Sequence, residues 1–498
     1  MAPPGKKLPQ YTAAIIASMS VMAAGCCIAW PSPALKILLH SKDPPFKLEP
    51  AEGSWIVSLK NVGNIIAPLP TGWLMGRLGR RVTLLASAVP FIVSWGLLVV
   101  CETAPLLYLA RVLGGLGVGM AFTVTPIYLG EIADTQVRGA LGTLLQAMLY
   151  CGILMEYVVG PYVSYLALAL TSGAVPLVFF ALFFFMPESP HWLLQRGRRE
   201  EARRALAWLR GTGEQAVAAE LGEMTRTLEL QLQPHEKSGG GAAAAVPGGS
   251  LKDILFSKGP RKALIIILTL NVLKEMSGNS AVVAYAAGTL VKGTHSPYAD
   301  EYVIAMGVVM FASTMACTQL VDRAGRRPLL LASCALSAVS LSTAGLYFFL
   351  KHLEYERYHS RVHMQAVSVD MSGATWLPVG GLLAYAAAFP LGLAPIPPAL
   401  LGELFPVHLK GLAACSAAVA ISVASLVVTK LYQVVGDSLG MHVVYWAFGA
   451  SCVGGAAFVA TFVPETKRKT FQQIQDELGG VVREKGAYDA DEPLKVMA

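Results

Sequence analysis

Charged residues are scarce in this sequence: they fill 14% of 498 positions, against roughly a quarter in soluble proteins, while 54% of positions are hydrophobic. That balance excludes a soluble enzyme and a charged, disordered scaffold. Metal-ligand spacing is absent from the eight cysteines (Cys26, Cys27, Cys101, Cys151, Cys317, Cys334, Cys415 and Cys452), which lie inside or at the rim of apolar stretches and read as reduced packing residues. No basic stripe with interleaved aromatics accompanies the net charge of +7, so nucleic acid is excluded as a partner. Gly114 and Gly119 lack the Lys-Ser/Thr of a phosphate loop, no ATPase motif occurs, and no Asn-x-Ser/Thr sequence is available for glycosylation. Neither a bound cofactor, nor a metal, nor covalent catalysis is indicated.

Long apolar runs are what the sequence does have. Several exceed the roughly 20 residues that cross a bilayer as helix, where a barrel strand needs about 10. Twelve spans are expected, near 11–35, 54–74, 82–101, 105–130, 140–160, 162–186, 263–291, 302–321, 328–350, 375–403, 411–436 and 441–463. The first follows Lys6 and Lys7 as a secretory signal would, yet it continues through Trp30-Pro31-Ser32-Pro33 and is expected to be retained.

An even count puts both termini on one side. Loops on that side hold Arg77, Arg80, Arg81, Arg138, Arg323, Arg326, Arg327 and Lys410, whereas the opposite loops hold only Lys36, Lys42, Lys47, Lys292, Lys351, Arg357 and Arg361. The positive-inside rule makes the first side cytoplasmic. Between the halves, 196–232 reads as short charged helices and 238–250 as a Gly/Ala-rich linker. The expected organisation is an all-α membrane protein. It has an N-terminal six-helix bundle over 1–186, a cytoplasmic helical linker over 187–262, a C-terminal bundle over 263–463 and a cytoplasmic tail over 464–498.

Three signatures recur in order. Gly76-Arg-Leu-Gly-Arg-Arg81 after span two returns as Asp322-Arg-Ala-Gly-Arg-Arg327 after span eight. Gly130-Glu-Ile-Ala-Asp-Thr-Gln-Val-Arg-Gly139 returns as Gly402-Glu-Leu-Phe-Pro-Val-His-Leu-Lys-Gly411, and Pro187-Glu-Ser-Pro190 returns as Pro464-Glu-Thr-Lys467. A duplicated six-span unit follows, with two halves able to rock about a site at the membrane midplane. With these motifs the chain resembles the sugar porter branch of the major facilitator superfamily over essentially its whole length. Further matches are Arg111-Val-Leu-Gly-Gly-Leu-Gly117, Gln146, Ser277-Gly278 and Pro395-Ile-Pro397. Ala29-Trp-Pro-Ser-Pro-Ala-Leu35 and Ser54-Trp-Ile-Val-Ser58 look like the insect facilitated trehalose transporters and their relatives.

The resemblance implies ion-pair clusters at the cytoplasmic span ends. They would combine Glu131 with Arg77, Arg80, Arg81 and Arg138, and Glu403 with Arg323, Arg326, Arg327 and Lys410, with Glu188 and Glu465 extending them. Such clusters would hold the cytoplasmic side closed in the outward-facing state. Arg111, charged within span four beside small Gly114, Gly115, Gly117 and Gly119, reads as an anchor to backbone carbonyls or to an acid. Pro395, Pro397 and Pro398 remove helix donors and interrupt span ten, as a kink or a mobile gate.

A sugar is uncharged and rich in hydroxyls, so its site needs amides, hydroxyls and an aromatic plate at mid-membrane. Gln146 supplies one amide. Where the family offers further amides and tryptophans, this chain has Lys274, Glu275, Ser280, Met310, Pro398, Ile421 and Ser422. The candidate substrate residues are therefore Gln146, Lys274, Glu275, Ser277 and Ser280. An unpaired charge at bilayer depth costs about 3 kcal/mol or more, so Lys274 is expected to find a partner, Glu156 of span five being one. Span one lacks the acid of proton symporters, which favours facilitated diffusion of a hexose, trehalose or polyol across the cell membrane. A non-transporting receptor of the same fold, and a carrier of a charged solute using Lys274 or Glu275, stay open. Oligomeric state is not encoded in these patterns.

Overall fold

A computed structural model describes residues 7–40, 46, 48–134, 137–232, 258–294, 296–359, 376–405, 407–467, 469, 473 and 474, and these contain helices and no strand. The expected linker 238–250, most of the tail, the Arg138 side chain and Lys42, Lys47 and Arg361 fall outside the described parts. The N-terminal helices are α1 (Leu8–Ala29), α2 (Pro31–His40), α3 (Pro50–Ile66), α4 (Pro68–Leu78), α5 (Arg80–Val99), α6 (Ala104–Ile132), α7 (Arg138–Val159) and α8 (Tyr165–Phe183). Next come the short α9 (Pro190–Gln195), α10 (Arg199–Arg210) and α11 (Ala218–Leu232). The second half contains α12 (Lys258–Met276), α13 (Asn279–Thr294), α14 (Ala299–Ala324), α15 (Arg326–His359), α16 (Trp376–Leu391), α17 (Ile396–Leu404), α18 (Val407–Ser438) and α19 (Met441–Phe462).

Ten passes among the described residues are long and apolar enough to cross a bilayer without interruption of their hydropathy. The two remaining passes of the twelve-span fold are broken helices. In Pro50–Leu78, Pro68 and Pro70 remove ladder donors between α3 and α4. Lys258–Thr294 carries Arg261, Lys262, Lys274 and Glu275 and bends between α12 and α13. Spans one and ten are likewise jointed, at Trp30 before Pro31 and at 392–395 before Ile396. The linker gains one helix that the sequence reading passed over, α9, which Ser189 starts by accepting from the Trp192 N–H.

Helices pack into matching halves. In the first, α5 and α3 lie on α6 and α1 lies on α7; in the second, α16 and α19 lie on α15. A Cβ added at Gly115 would fall 1.8 Å from the Lys60 carbonyl oxygen, so only glycine lets α6 rest directly on α3. The halves meet through α3 on α18, α7 on α14 and α2 on α13. Apolar side chains such as Leu69, Leu170, Val339 and Phe462 project outward, as a lipid-facing surface requires.

Candidate functional site

The repeated basic motifs build two clusters with the same wiring. In the first half Arg80 donates through Nη2 (2.8 Å) and Nε (3.1 Å) to Glu131 Oε1. Glu188 accepts from the Arg80 and Arg81 backbone N–H groups at 2.9 and 3.0 Å. In the second half Arg326 pairs with Glu403 at 3.1 Å, and Glu465 accepts from the Arg326 and Arg327 N–H groups, each at 3.1 Å. Arg81 and Arg327 donate to the Phe184 and Ala460 carbonyls respectively. Glu188 and Glu465 thus each occupy the N-terminus of a spanning helix, where orphan donors and the helix dipole favour an anion.

The two caps differ in strength. Burial pushes the Glu188 carboxyl above its usual value despite the N–H groups of Ser189, Arg81 and Arg80 and the Arg80 charge. At Glu465 burial also opposes ionisation, but donors from Lys467, Arg326, Arg327 and Thr466 outweigh it and hold the carboxyl below its usual value.

Other expected members stand apart. Arg77 lies over the Trp73 ring at 4.8 Å, Arg323 is exposed with its carbonyl accepting from Lys467, and Lys410 makes no ion pair among the described residues.

The halves are joined by hydrogen bonds at the opposite end. There Lys36 of α2 pairs with Asp300 of α14 at 2.6 Å, and the Ala287 N–H of α13 donates to Ser32. Tyr157 of α7 donates to the Val283 carbonyl, and Lys430 of α18 donates to Ser54 of α3 at 2.6 Å. Asn61 reaches Thr429 at 3.5 Å. The basic clusters therefore tie spans within each half, while this second set closes the far mouth. A cavity of about 210 Å³ lies beside Lys36, Asp300 and Tyr157 at that closed mouth.

Between the two ends, α7, α12, α13 and α16 bring polar groups together. Gln146 lies beside the Tyr150 side chain one turn on. Glu275, 5% exposed, accepts from Ser280 at 2.6 Å, and Ser277 donates to the Lys274 carbonyl at 2.7 Å and lies 3.3 Å from the Tyr385 hydroxyl. The bend that gathers them is Gly278, with φ 85° and its missing Cβ 2.2 Å from the Phe448 ring. Of the expected substrate residues, Gln146, Glu275, Ser277 and Ser280 share this region. Lys274 follows the same helix, where Glu275 is the charge acting on it.

The expected Lys274–Glu156 pair does not form. Glu156 is fully buried against Ser172 and Cys26 on the far side of α7, because spans one and six enclose that face. Met310 and Ser422 are buried, the latter bonded to its own helix at Ala418, and Pro398 is exposed. Tyr150 and Tyr385 join this region, and nothing in the sequence around them signals it.

Arg111, 1% exposed, anchors to carbonyls as one of its readings required. It donates to Ile56 O and Cys27 O, each at 3.0 Å, and lies over the Trp30 ring at 5.3 Å. The Cys27 carbonyl is available because its helical partner four residues on is Pro31, which has no N–H. Pro395 caps α17 and Pro397 is buried in its first turn, so span ten is jointed here.

Twelve membrane passes in two matching halves, with polar groups between them, define a major facilitator fold. The chain belongs to the sugar (and other) transporter family, whose family model matches residues 14–478. The facilitated trehalose transporter Tret1 of Aedes aegypti is 33% identical over 97% of this chain, which spans only 57% of that protein's length. The Tret1 of Polypedilum vanderplanki is also 33% identical, with 97% of this chain and 91% of that one covered. Among solved structures, the partially occluded inward-open xylose transporter XylE from E. coli superimposes with a TM-score of 0.73 at 22% identity, covering 93% of this chain and 99% of that one. XylE bound to 6-bromo-6-deoxy-D-glucose gives 0.72, again at 22% identity, covering 94% and 99%.

Proposed function

We propose that the chain is a facilitative carrier of a sugar, whether hexose, trehalose or polyol, working by alternating access and catalysing no covalent step. The observation that carries this reading is the polar cluster of Gln146, Tyr150, Glu275, Ser280 and Tyr385, placed between two halves that are bonded to each other at one mouth. Membership of the sugar (and other) transporter family and similarity to insect proteins named as facilitated trehalose transporters support a sugar as cargo.

In this reading the bundles comprise 1–186 and 263–463, and the segments 187–262 and 464–498 are cytoplasmic, as are both termini. The Arg80–Glu131–Glu188 and Arg326–Glu403–Glu465 clusters are the inner gate. They are formed within each half here and meet across the halves when the far mouth opens. Only an exchange of partners between states gates transport, because one half-exposed pair contributes about 1 kcal/mol or less.

Uptake of labelled hexoses, trehalose and polyols into sealed vesicles, with and without an imposed pH gradient, tests the proposal. Saturable, gradient-independent exchange of one of these solutes is expected. Binding without flux would turn the reading into a receptor, and flux that follows the pH gradient would remove the passive mechanism.

A further inference from the structure

The cavity of about 210 Å³ at the closed mouth has no part in the carrier reading, and both halves build it. One side comes from α2, the end of α7 and the turn after it, and the other from α13 and α14. Gly160 lets that turn close on α2, since a Cβ there would fall 2.4 Å from Pro33. The walls are mostly apolar: Pro33, Ile37, Pro161, Val163 and Val303. Its polar members are Lys36, Asp300 and the buried Ser32 and Tyr157, which are 2% and 1% exposed.

These polar groups are bonded across the halves, yet three of them keep a hydrogen-bonding capacity. Lys36 Nζ donates to Asp300 Oδ1 at 2.7 Å and Oδ2 at 2.6 Å, and an ammonium carries three N–H groups. Ser32 Oγ accepts from the Ala287 N–H at 3.0 Å, which leaves its own O–H to donate. Tyr157 donates to the Val283 carbonyl at 2.8 Å, which leaves its oxygen to accept. A guest hydroxyl matches this set, because its oxygen accepts from Lys36 or Ser32 while its proton goes to the Tyr157 oxygen. A carboxylate would lie against Asp300 and an ammonium against Lys36, so the guest is neutral. Size and walls settle the rest of it. An apolar cavity of about 150 Å³ takes benzene, so this one takes a single ring with a short hydroxylated arm. A sugar, with hydroxyls all round, would leave most of them unpaired against prolines, isoleucine and valines.

We propose that this cavity is an inhibitory site for a small neutral aromatic alcohol. Because each half supplies one wall, the guest binds only while this mouth is shut and draws the carrier into that state. The inhibition rests on the sugar-carrier reading above; the binding does not.

The test uses full-length protein and four probes of one shape: benzyl alcohol, toluene, benzoate and benzylammonium. In reconstituted vesicles, benzyl alcohol is expected to lower the maximal equilibrium exchange of labelled sugar threefold or more, with the other three at least tenfold weaker. V163F and V303F fill the cavity and should abolish that response. In detergent, where no bilayer is present to be perturbed, benzyl alcohol should raise the melting temperature of wild type and of neither variant; should V303F fail to fold, V163F carries the comparison. Inhibition that toluene matches, or that persists in the variants, is an effect on the bilayer and overturns the site, as does a wild-type melting temperature that benzyl alcohol leaves unchanged or lowers. Wild-type vesicles that exchange no sugar overturn the carrier reading and the inhibition with it, whereas the detergent measurement still decides the binding.

Discussion

Replacing Arg111 by methionine tests whether this buried cation is there for a carbonyl that proline has stripped of its partner. Arg111 gives two charge-assisted hydrogen bonds of 3.0 Å, each contributing about 1.5–3 kcal/mol. Its position over Trp30 adds about 1–2 kcal/mol in a desolvated setting. Against these stands the several kcal/mol needed to bury the guanidinium. The opposing contributions nearly offset, so the outcome depends on what the substitution leaves behind. Ile56 O keeps its own α3 ladder partner, but Cys27 O, facing Pro31, is left with none.

An unsatisfied buried carbonyl costs about 1–3 kcal/mol, and R111M is expected to lose about that much. Adding P31A restores an N–H four residues on from Cys27, so R111M in the P31A background should cost about 1–2 kcal/mol less than in wild type. Unfolding of the detergent-solubilised protein, followed by tryptophan fluorescence, gives the four stabilities of the cycle. Equal costs of R111M in both backgrounds would refute the orphaned-carbonyl reasoning, as would an R111M protein as stable as wild type.

Glycine 278 admits a similarly sharp test: G278A must place a Cβ 2.2 Å from the Phe448 ring at φ 85°, so a loss of more than about 2 kcal/mol is expected, with F448A restoring part of it. The two carboxylate caps should respond to acid with opposite slopes. Glu465, held below its usual value, stabilises above the ordinary carboxylate range and loses that contribution as pH falls through its lowered value; Glu188, pushed up, contributes most below the ordinary range and loses it as pH rises through its raised value. Melting curves across that range should therefore show wild type gaining on E465Q and losing ground to E188Q with rising pH, and parallel curves would contradict the assignment. At the closed mouth the Lys36–Asp300 pair, with side chains 36% and 24% exposed, contributes about 0.5–1 kcal/mol, so D300N should raise the labelling rate of a cysteine substituted for Ala287 about two- to fivefold. An unchanged rate would show that this pair does not hold the mouth shut.

The sequence by itself determined the class of molecule. Apolar run length sets the spans, because backbone groups in lipid must bond within their own helix. The three repeated motifs announce the duplication, since they recur in the same order in each half, and Arg80 with Glu131 and Arg326 with Glu403 pair alike although 51 and 77 residues separate them. Arg111 was readable too: a cation in an apolar helix needs acceptors close by.

Pairings across long separations were settled only by tertiary structure. Glu156 and Lys274 are equally anomalous along the chain, but α7 turns Glu156 toward Ser172 and away from the junction of the halves, so the pair expected from composition never meets. Glu275 and Ser280 meet because span seven bends at Gly278, a packing constraint that no residue type declares alone. Which mouth is bonded shut is likewise absent from the sequence. Both sets of gate residues are always present, and only the relative placement of two rigid halves decides which set touches.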